Sequence, residues 1–258
     1  MPTQVILFDL DETLIADGVA TQEALRATAA FAASHGLDTE ALAREALRVA
    51  HSAWRDSQHQ DYFQKIGVSA GECLWGRFIG EDPRLLPIRA WAPEYQLGCW
   101  SGALESFGVR DEVLSATLAE RYRVERRSRH GMLFPETRAM METLAPHYRL
   151  GLITNGAPDI QRDKLVGSGL EPYFSCVQVS GEFGMGKPDP TIFYNALDTL
   201  GCPAADAIMV GDNSARDILG ANKAGIRAVW IRRENQRLTP GARPDATIAS
   251  LSELAALL

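Results

Sequence analysis

The fold class written into this chain is α/β: a doubly wound core built on a parallel sheet, with an α-helical domain inserted into it. Three observations predict it. Short apolar runs recur at wide intervals, and helix-like segments alternate with them beyond residue 131. A long stretch nearer the N-terminus carries helical periodicity and no convincing strand run.

The apolar runs are VILF (Val5–Phe8), LGLI (Leu150–Ile153), CVQV (Cys176–Val179), AIMV (Ala207–Val210) and AVWI (Ala228–Ile231). They are too short for helices and rich in β-branched residues, and all but CVQV lack polar alternation. That pattern fits strands covered on both faces, as in a parallel sheet. ETRAMMETLA, DIQRDKLVGSG and PTIFYNALDTLG lie between them and read as helices, which gives βαβ units and a Rossmann-like core. In the N-terminal half, ALAREALRVAHSAW places Leu42, Ala46, Val49 and Ala53 on one helix face, and VLSATLAERYRVERR reads as another helix. The expected division is therefore a core of residues 1–15 and 131–258 and a helical insert of residues 16–130. The hinges fall at Ala16–Gly18 and His130–Pro135, where Gly and Pro punctuate the chain.

Composition narrows the function. With 26 Lys and Arg against 33 Asp and Glu the net charge is -7, which argues against a general binder of nucleic acid or anionic membrane. A small anionic substrate remains open, because a site needs only local positive charge. Cys73, Cys99, Cys176 and Cys202 have neither CxxC nor zinc-like spacing and read as free thiols of a reducing compartment. The N-terminus enters a strand-like run at once, leaving no room for a signal peptide, and no apolar run reaches membrane-spanning length. The expectation is a cytoplasmic protein, monomer or homodimer, with no nucleic-acid or membrane partner.

The chemistry lies just past the strands. VILF runs into Asp9, Asp11 and Glu12, three acids within four positions; two poorly solvated carboxylates 4 Å apart repel by about 4 kcal/mol at an effective dielectric of 20. LGLI runs into Thr154, Asn155 and Gly156, and AIMV into Gly211, Asp212 and Asn213, with Asp217 five residues past Asp212. Lys187 follows the CVQV run and a Gly-rich loop. Ligands of open α/β sheets sit beyond the carboxyl ends of the strands, where these groups converge. A lone acid there is usually a turn or cap residue, but several ends with complementary chemistry favour a site. Asp9, Asp11 and Asp212 would form an oxygen-rich cluster suited to Mg²⁺. Lys187 and the Thr154 hydroxyl would add the positive charge and the donor that a transferring phosphoryl group needs. One carboxylate can then attack phosphorus, and a second can protonate the leaving oxygen and later deprotonate water.

DLDET (Asp9–Thr13), TNG (Thr154–Gly156), KP (Lys187–Pro188) and GDNSARD (Gly211–Asp217) resemble, in order and spacing, the four motifs of the haloacid dehalogenase (HAD) superfamily. The helical insert resembles that family's C1 cap. The resemblance implies that Asp9 is the nucleophile and a metal ligand, and that Asp11 is the general acid and base with its backbone carbonyl on the metal. It implies that Thr154 and the amides of Asn155 and Gly156 hold phosphate oxygens, that Lys187 neutralises nucleophile and phosphate, that Asp212 ligates Mg²⁺ and that Asp217 braces the metal shell. Glu12 receives no role. Dehalogenating members lack the second Asp of the first motif, so Asp11 favours a phosphatase; a phosphomutase would use the same residues. Residues 153–174 and 211–231 are similar to members acting on sugar phosphates or nucleoside monophosphates, so the expected partner is a small phosphorylated metabolite.

Other patterns are weaker. Gly181–Lys187 fits the start of a P-loop, but Pro188 stands where a hydroxyl is needed. Gly67–Gly71 fits the GxSxG elbow of serine hydrolases, yet DYFQKI before it reads as helix where the elbow needs a strand. The Asp-x-Asp pair is no EF-hand, since Leu14 stands where that loop needs Gly. The basic RYRVERRSRHG reads as a solvated helix face whose last Arg could reach a substrate, and Trp54, Trp75, Trp91 and Trp100 read as packing of the helical insert. Lys65 is the insert's one lysine, with nothing to mark it as catalytic, and no histidine has ligand spacing. Two further readings stay in view: a retired member that binds a phosphorylated ligand without turnover, and an esterase acting through Ser69.

Overall fold

The structure is a computed structural model that describes residues 3–233 and 236–258. Its sheet has six parallel strands in the order β3-β2-β1-β4-β5-β6, formed by β1 (Val5–Phe8), β2 (Arg149–Thr154), β3 (Cys176–Val179), β4 (Ala207–Gly211), β5 (Arg227–Ile231) and β6 (Ala246–Ile248). Each apolar run forms a strand because both of its faces are covered. Along β1, Val5 and Leu7 enter one hydrophobic cluster and Ile6 and Phe8 the other. The same division holds for Ala207 and Met209 against Ile208 and Val210 on β4. CVQV, the one run with polar residues inside it, is an edge strand, where half-exposure is tolerated. The opposite edge, β6, is only three residues long. A run that short carries no period-2 signal, and it was not among the expected strands.

Chain order determines where this sheet can bind. From β1 the chain builds outward through β2 to β3, then returns to the other side of β1 to lay down β4. The order reverses between β1 and β4, which opens a crevice at their carboxyl ends. Phe8 is paired with Val210 and with Leu152, so Asp9, Asp212 and Thr154 emerge side by side at that crevice.

Residues 17–127 contain six helices: α1 (Asp17–Ala29), α2 (Thr39–Arg55), α3 (Gln60–Ile66), α4 (Ala70–Cys73), α5 (Leu85–Glu105) and α6 (Glu112–Arg127). They surround their own cluster, with Trp75 and Trp100 fully buried in it and Trp54 and Trp91 packed against it. Ala157 and Ile160 of the sheet domain join this cluster, which is how the two parts are packed together. On α2 the buried row is Leu42, Ala43, Ala46 and Ala50. Ala53, expected on that face, is exposed in the last turn, because an i, i+4, i+8 row has rotated past it there. The remaining helices are α7 (Thr137–Leu144), α8 (Pro158–Ser168), α9 (Ser180–Phe183), α10 (Pro190–Leu200) and α11 (Leu219–Ala224), all flanking the sheet. All four cysteines are free and buried. No helix among the described residues is long and apolar enough to cross a membrane.

The helical insert is docked on the crevice through Gly67, which ends α3 in the left-handed region at φ 81°. A Cβ there would stand 2.7 Å from the Asn155 Cβ and 2.8 Å from its Nδ2. Beside it the Gly186 amide donates to the Lys65 carbonyl at 3.0 Å, and Ser180 Oγ donates to the Ile66 carbonyl. Gly36 has a similar φ of 75° with nothing within 4 Å of its would-be Cβ. Gly36→Ala should therefore lose only the backbone term, about 1–2 kcal/mol. Gly67→Ala should lose that and also disrupt docking, so its kcat/KM should fall while that of Gly36→Ala holds. Thermal melts beside steady-state rates check this, and equal rates in the two variants would contradict it.

Candidate active site

Asp9 leaves β1 nearly buried, at 7% exposure. Its Oδ1 receives the Lys187 ammonium at 2.6 Å, and its Oδ2 accepts from the Thr13 hydroxyl at 3.3 Å. Lys187 Nζ also meets Asp217 Oδ1 at 2.7 Å and donates to the Ile153 carbonyl at 2.6 Å. The ammonium thus donates to two oxygens and ion-pairs with a third, which leaves one of its three hydrogens for a ligand. Lys187 gets there because the Asn155 side chain clamps its backbone, with Nδ2 donating to the Lys187 carbonyl and Oδ1 accepting from its amide, both at 2.9 Å.

Asp212 follows β4. Its amide donates to Thr13 Oγ1 at 3.1 Å, its carbonyl accepts from Trp230 Nε1 at 2.7 Å, and its Oδ2 accepts from Gln236 Nε2 at 3.1 Å. The next turn, Ser214–Ile218, is π-helical and returns Asp217 toward the crevice, where Oδ2 accepts from the Asn213 amide at 2.9 Å. Gly211 is needed for this: a Cβ on it would lie 2.4 Å from Asp217 Cγ.

Asp9, Asp212 and Asp217 each present an oxygen within 4.8 Å of the others. Burial, then the charges of Asp9 and Asp217, push the Asp212 carboxyl up to about 8. Burial pushes Asp217 up to about 6 even though Lys187 pulls the other way. Burial disfavours the Lys187 ammonium, but Asp217 and Asp9 outweigh it and hold its pKa above the ordinary value. A cluster this anionic, with one lysine set among it, has the donor set of a hard divalent cation.

Asp11 does not share that cluster through its side chain. Its carboxylate turns toward the helical insert and accepts from Lys164 Nζ at 3.0 and 2.9 Å and from Gln161 Nε2 at 3.1 Å. Burial pushes its pKa up to about 7, against the pull of Lys164 and with the help of Asp17, Glu72 and Asp9. The two acids crowded at this strand end are thus relieved by two different lysines.

Comparisons with known proteins give the family. The model of a haloacid dehalogenase-like hydrolase family matches residues 3–225. The chain belongs to that family. It is 38% identical over 252 residues to a phosphoserine phosphatase from Thermus thermophilus, covering 97% of each protein. Among solved structures, it superposes on the HAD-hydrolase YfnB from Bacillus subtilis, described as bound to magnesium and showing interdomain movement. That match has a TM-score of 0.68 at 22% identity and covers 100% of this chain and 99% of the other. It also superposes on a 2-haloacid dehalogenase from Pseudomonas syringae, with a TM-score of 0.61 at 27% identity over 99% and 97% of the two chains.

Within this HAD hydrolase the second motif differs from expectation in one respect. Thr154 Oγ1 is held by Gln161 Nε2 at the crevice, and Asn155 is engaged in clamping Lys187. The Gly156 amide, expected to hold a phosphate oxygen, donates to Ser180 Oγ at 2.8 Å. It has no second hydrogen to give, so it supports the loop instead. Ser69 is a helix cap whose hydroxyl accepts from the Glu72 amide at 3.2 Å, with no strand before it, which removes the esterase reading. Lys65 is exposed, as is expected of a lysine without a catalytic part. Arg129, the last arginine of the basic segment, pairs with Glu125 and Glu23 of the insert, and Arg126, in the middle of the segment, is fully buried and ion-paired with Asp17 over the Trp75 ring. The sequence reading missed Lys164, Gln161, Glu72, Thr13 and Gln236. Gln161 and Lys164 sit three apart on α8, a spacing that puts both on one helix face and could have flagged them.

If the carboxylate cluster holds a divalent cation, Mg²⁺ at about 100-fold its Kd should stabilise the protein by about 2.7 kcal/mol. In Asp212→Asn that gain should vanish, while near neutral pH the metal-free variant melts at or above wild type because folding no longer has to protonate a carboxyl that is ionised in the unfolded chain. Calorimetry with and without Mg²⁺ checks this. A destabilised metal-free variant that keeps the full gain would contradict it.

Proposed function

We propose that the protein is a Mg²⁺-dependent phosphatase acting on a small phosphorylated metabolite through an aspartyl-phosphate on Asp9. The observation that carries this is the Asp9 carboxylate, held by Lys187 at 2.6 Å in the same cradle as Asp212 and Asp217. A buried carboxylate beside an ammonium can approach an anionic phosphoryl group that would otherwise repel it. Asp9, Asp212 and the Asp11 backbone carbonyl, with Asp217 behind them, would hold Mg²⁺, which supplies positive charge toward the phosphoryl oxygens.

The chain's own residues account for the steps. An Asp9 oxygen forms a bond to phosphorus while the bond from phosphorus to the leaving oxygen breaks. Lys187 and the Thr154 hydroxyl hold the phosphoryl oxygens in line. Asp11 gives its proton to the leaving oxygen. It then takes a proton from a water that attacks phosphorus, which frees phosphate and restores the Asp9 carboxylate. Leaving-group protonation has no place in displacement of a halide, so the carboxyl at Asp11 supports phosphate over haloacid chemistry. The docked helices would exclude bulk water during transfer.

Two lines bear on substrate. The likeness to a phosphoserine phosphatase over nearly all of both chains makes phosphoserine the first compound to try. Sugar phosphates and nucleoside monophosphates follow, from the sequence around the second and fourth motifs. Phosphate release from this panel, with Mg²⁺ and with EDTA, should require the metal and should fall by roughly four orders of magnitude in Asp9→Asn. Release that survives Asp9→Asn would overturn the nucleophile. Phosphate moved to a second site of the substrate, with none released, would make the enzyme a mutase.

A further inference from the structure

Lys164 lies on α8 at the seam between sheet domain and helical insert and is completely buried. Its ammonium gathers three carboxylates from three places. Asp11 comes from the loop after β1 at 2.9 Å, Asp17 from the head of α1 at 3.2 Å, and Glu72 from α4 at 2.9 Å. Burial penalises the Lys164 charge, but these three acids raise its pKa far above the ordinary range. Burial likewise pushes Asp17 up, yet Lys164 and Arg126 outweigh it and hold Asp17 below the usual carboxylate range. Charges this deep are tolerated only as a set, because removing one partner strands another.

The geometry gives the set a direction. Both oxygens of Asp11 are held from α8, by Lys164 and by Gln161 one turn before it. Glu72 reaches the same ammonium from the insert with Oε1, while its Oε2 accepts from the Ser69 amide at 2.8 Å and hydroxyl at 3.0 Å. Glu72 is therefore fixed by the cap of its own helix, and Lys164 ties that helix to Asp11. Nothing in the phosphoryl-transfer steps uses either residue.

We propose that Lys164 and Glu72 are positioning residues for the leaving-group proton, holding the Asp11 carboxyl in place through the docked helical insert. The inference rests on the phosphatase reading above, and leaving-group chemistry separates the two. An alkyl monoester needs its leaving oxygen protonated. p-Nitrophenyl phosphate leaves as a stable phenolate and needs a general acid far less. A merely structural role would depress both substrates alike.

The experiment compares kcat for the best alkyl monoester of the panel with kcat for p-nitrophenyl phosphate, in wild type, Glu72→Gln and Lys164→Met. Glu72→Gln keeps the size and the Ser69 contacts of Glu72, so it answers the question even where Lys164→Met fails to fold. The expected result is an alkyl-ester loss at least about tenfold greater than the aryl-ester loss, within the range a general acid supplies. Equal losses on the two esters, or none on either, would overturn the inference and leave the phosphatase reading standing. A wild type that releases phosphate from neither ester would overturn that reading, and this inference with it.

Discussion

The site depends on dividing negative charge. Asp9, Asp11, Asp212 and Asp217 are brought to one crevice, and any two ionised carboxylates 4 Å apart there repel by about 4 kcal/mol at an effective dielectric of 20. Lys187 stands between Asp9 and Asp217, and Lys164 draws Asp11 away toward the insert. Asp212 is met instead by the Gln236 amide, and its carboxyl rises furthest, to about 8. That uneven distribution follows chemical need: the neutralised Asp9 can meet a phosphoryl group, while the remaining acid has reason to take a divalent cation.

The sheet topology explains why the acids meet at all. A strand order that reverses between β1 and β4 places Asp9 and Asp212 next to each other without any contact local in sequence. The counter-charges arrive by separate routes, Lys187 from the segment before α10 and Lys164 from α8. Rigid packing then holds them, since each β1 residue is fully buried and its two faces belong to two different cores. The helical insert is joined to this arrangement by hydrogen bonds to the main-chain carbonyls of Lys65 and Ile66 and by Glu72 on Lys164. Docking is thus electrostatic as well as apolar.

How much of this could be read from the chain depended on whether the signal was local. The five long strands were legible because continuous apolar runs have few other uses, and Asp9, Thr154, Lys187 and Asp212 because each stands directly after or near such a run. β6 was not, because Ala246–Ile248 is too short to show a period. Lys164 and Glu72 were invisible as partners: they are 92 residues apart, and each has an ordinary local explanation, one as a helix residue and the other in a capping box with Ser69. The Gly156 amide was misassigned because its acceptor, Ser180, is supplied by a different strand end. Ala53 was misplaced because only the tertiary neighbours decide where a helix face stops being covered.

The central claim is that Asp9 carries the phosphoryl group. The most direct measurement is to quench the enzyme during turnover with borohydride, which reduces an aspartyl phosphate to homoserine, and to locate the product by peptide mass spectrometry. Homoserine is expected at position 9, formed only with substrate and Mg²⁺ present. Homoserine at position 11 or 212, or none during active turnover, would contradict it.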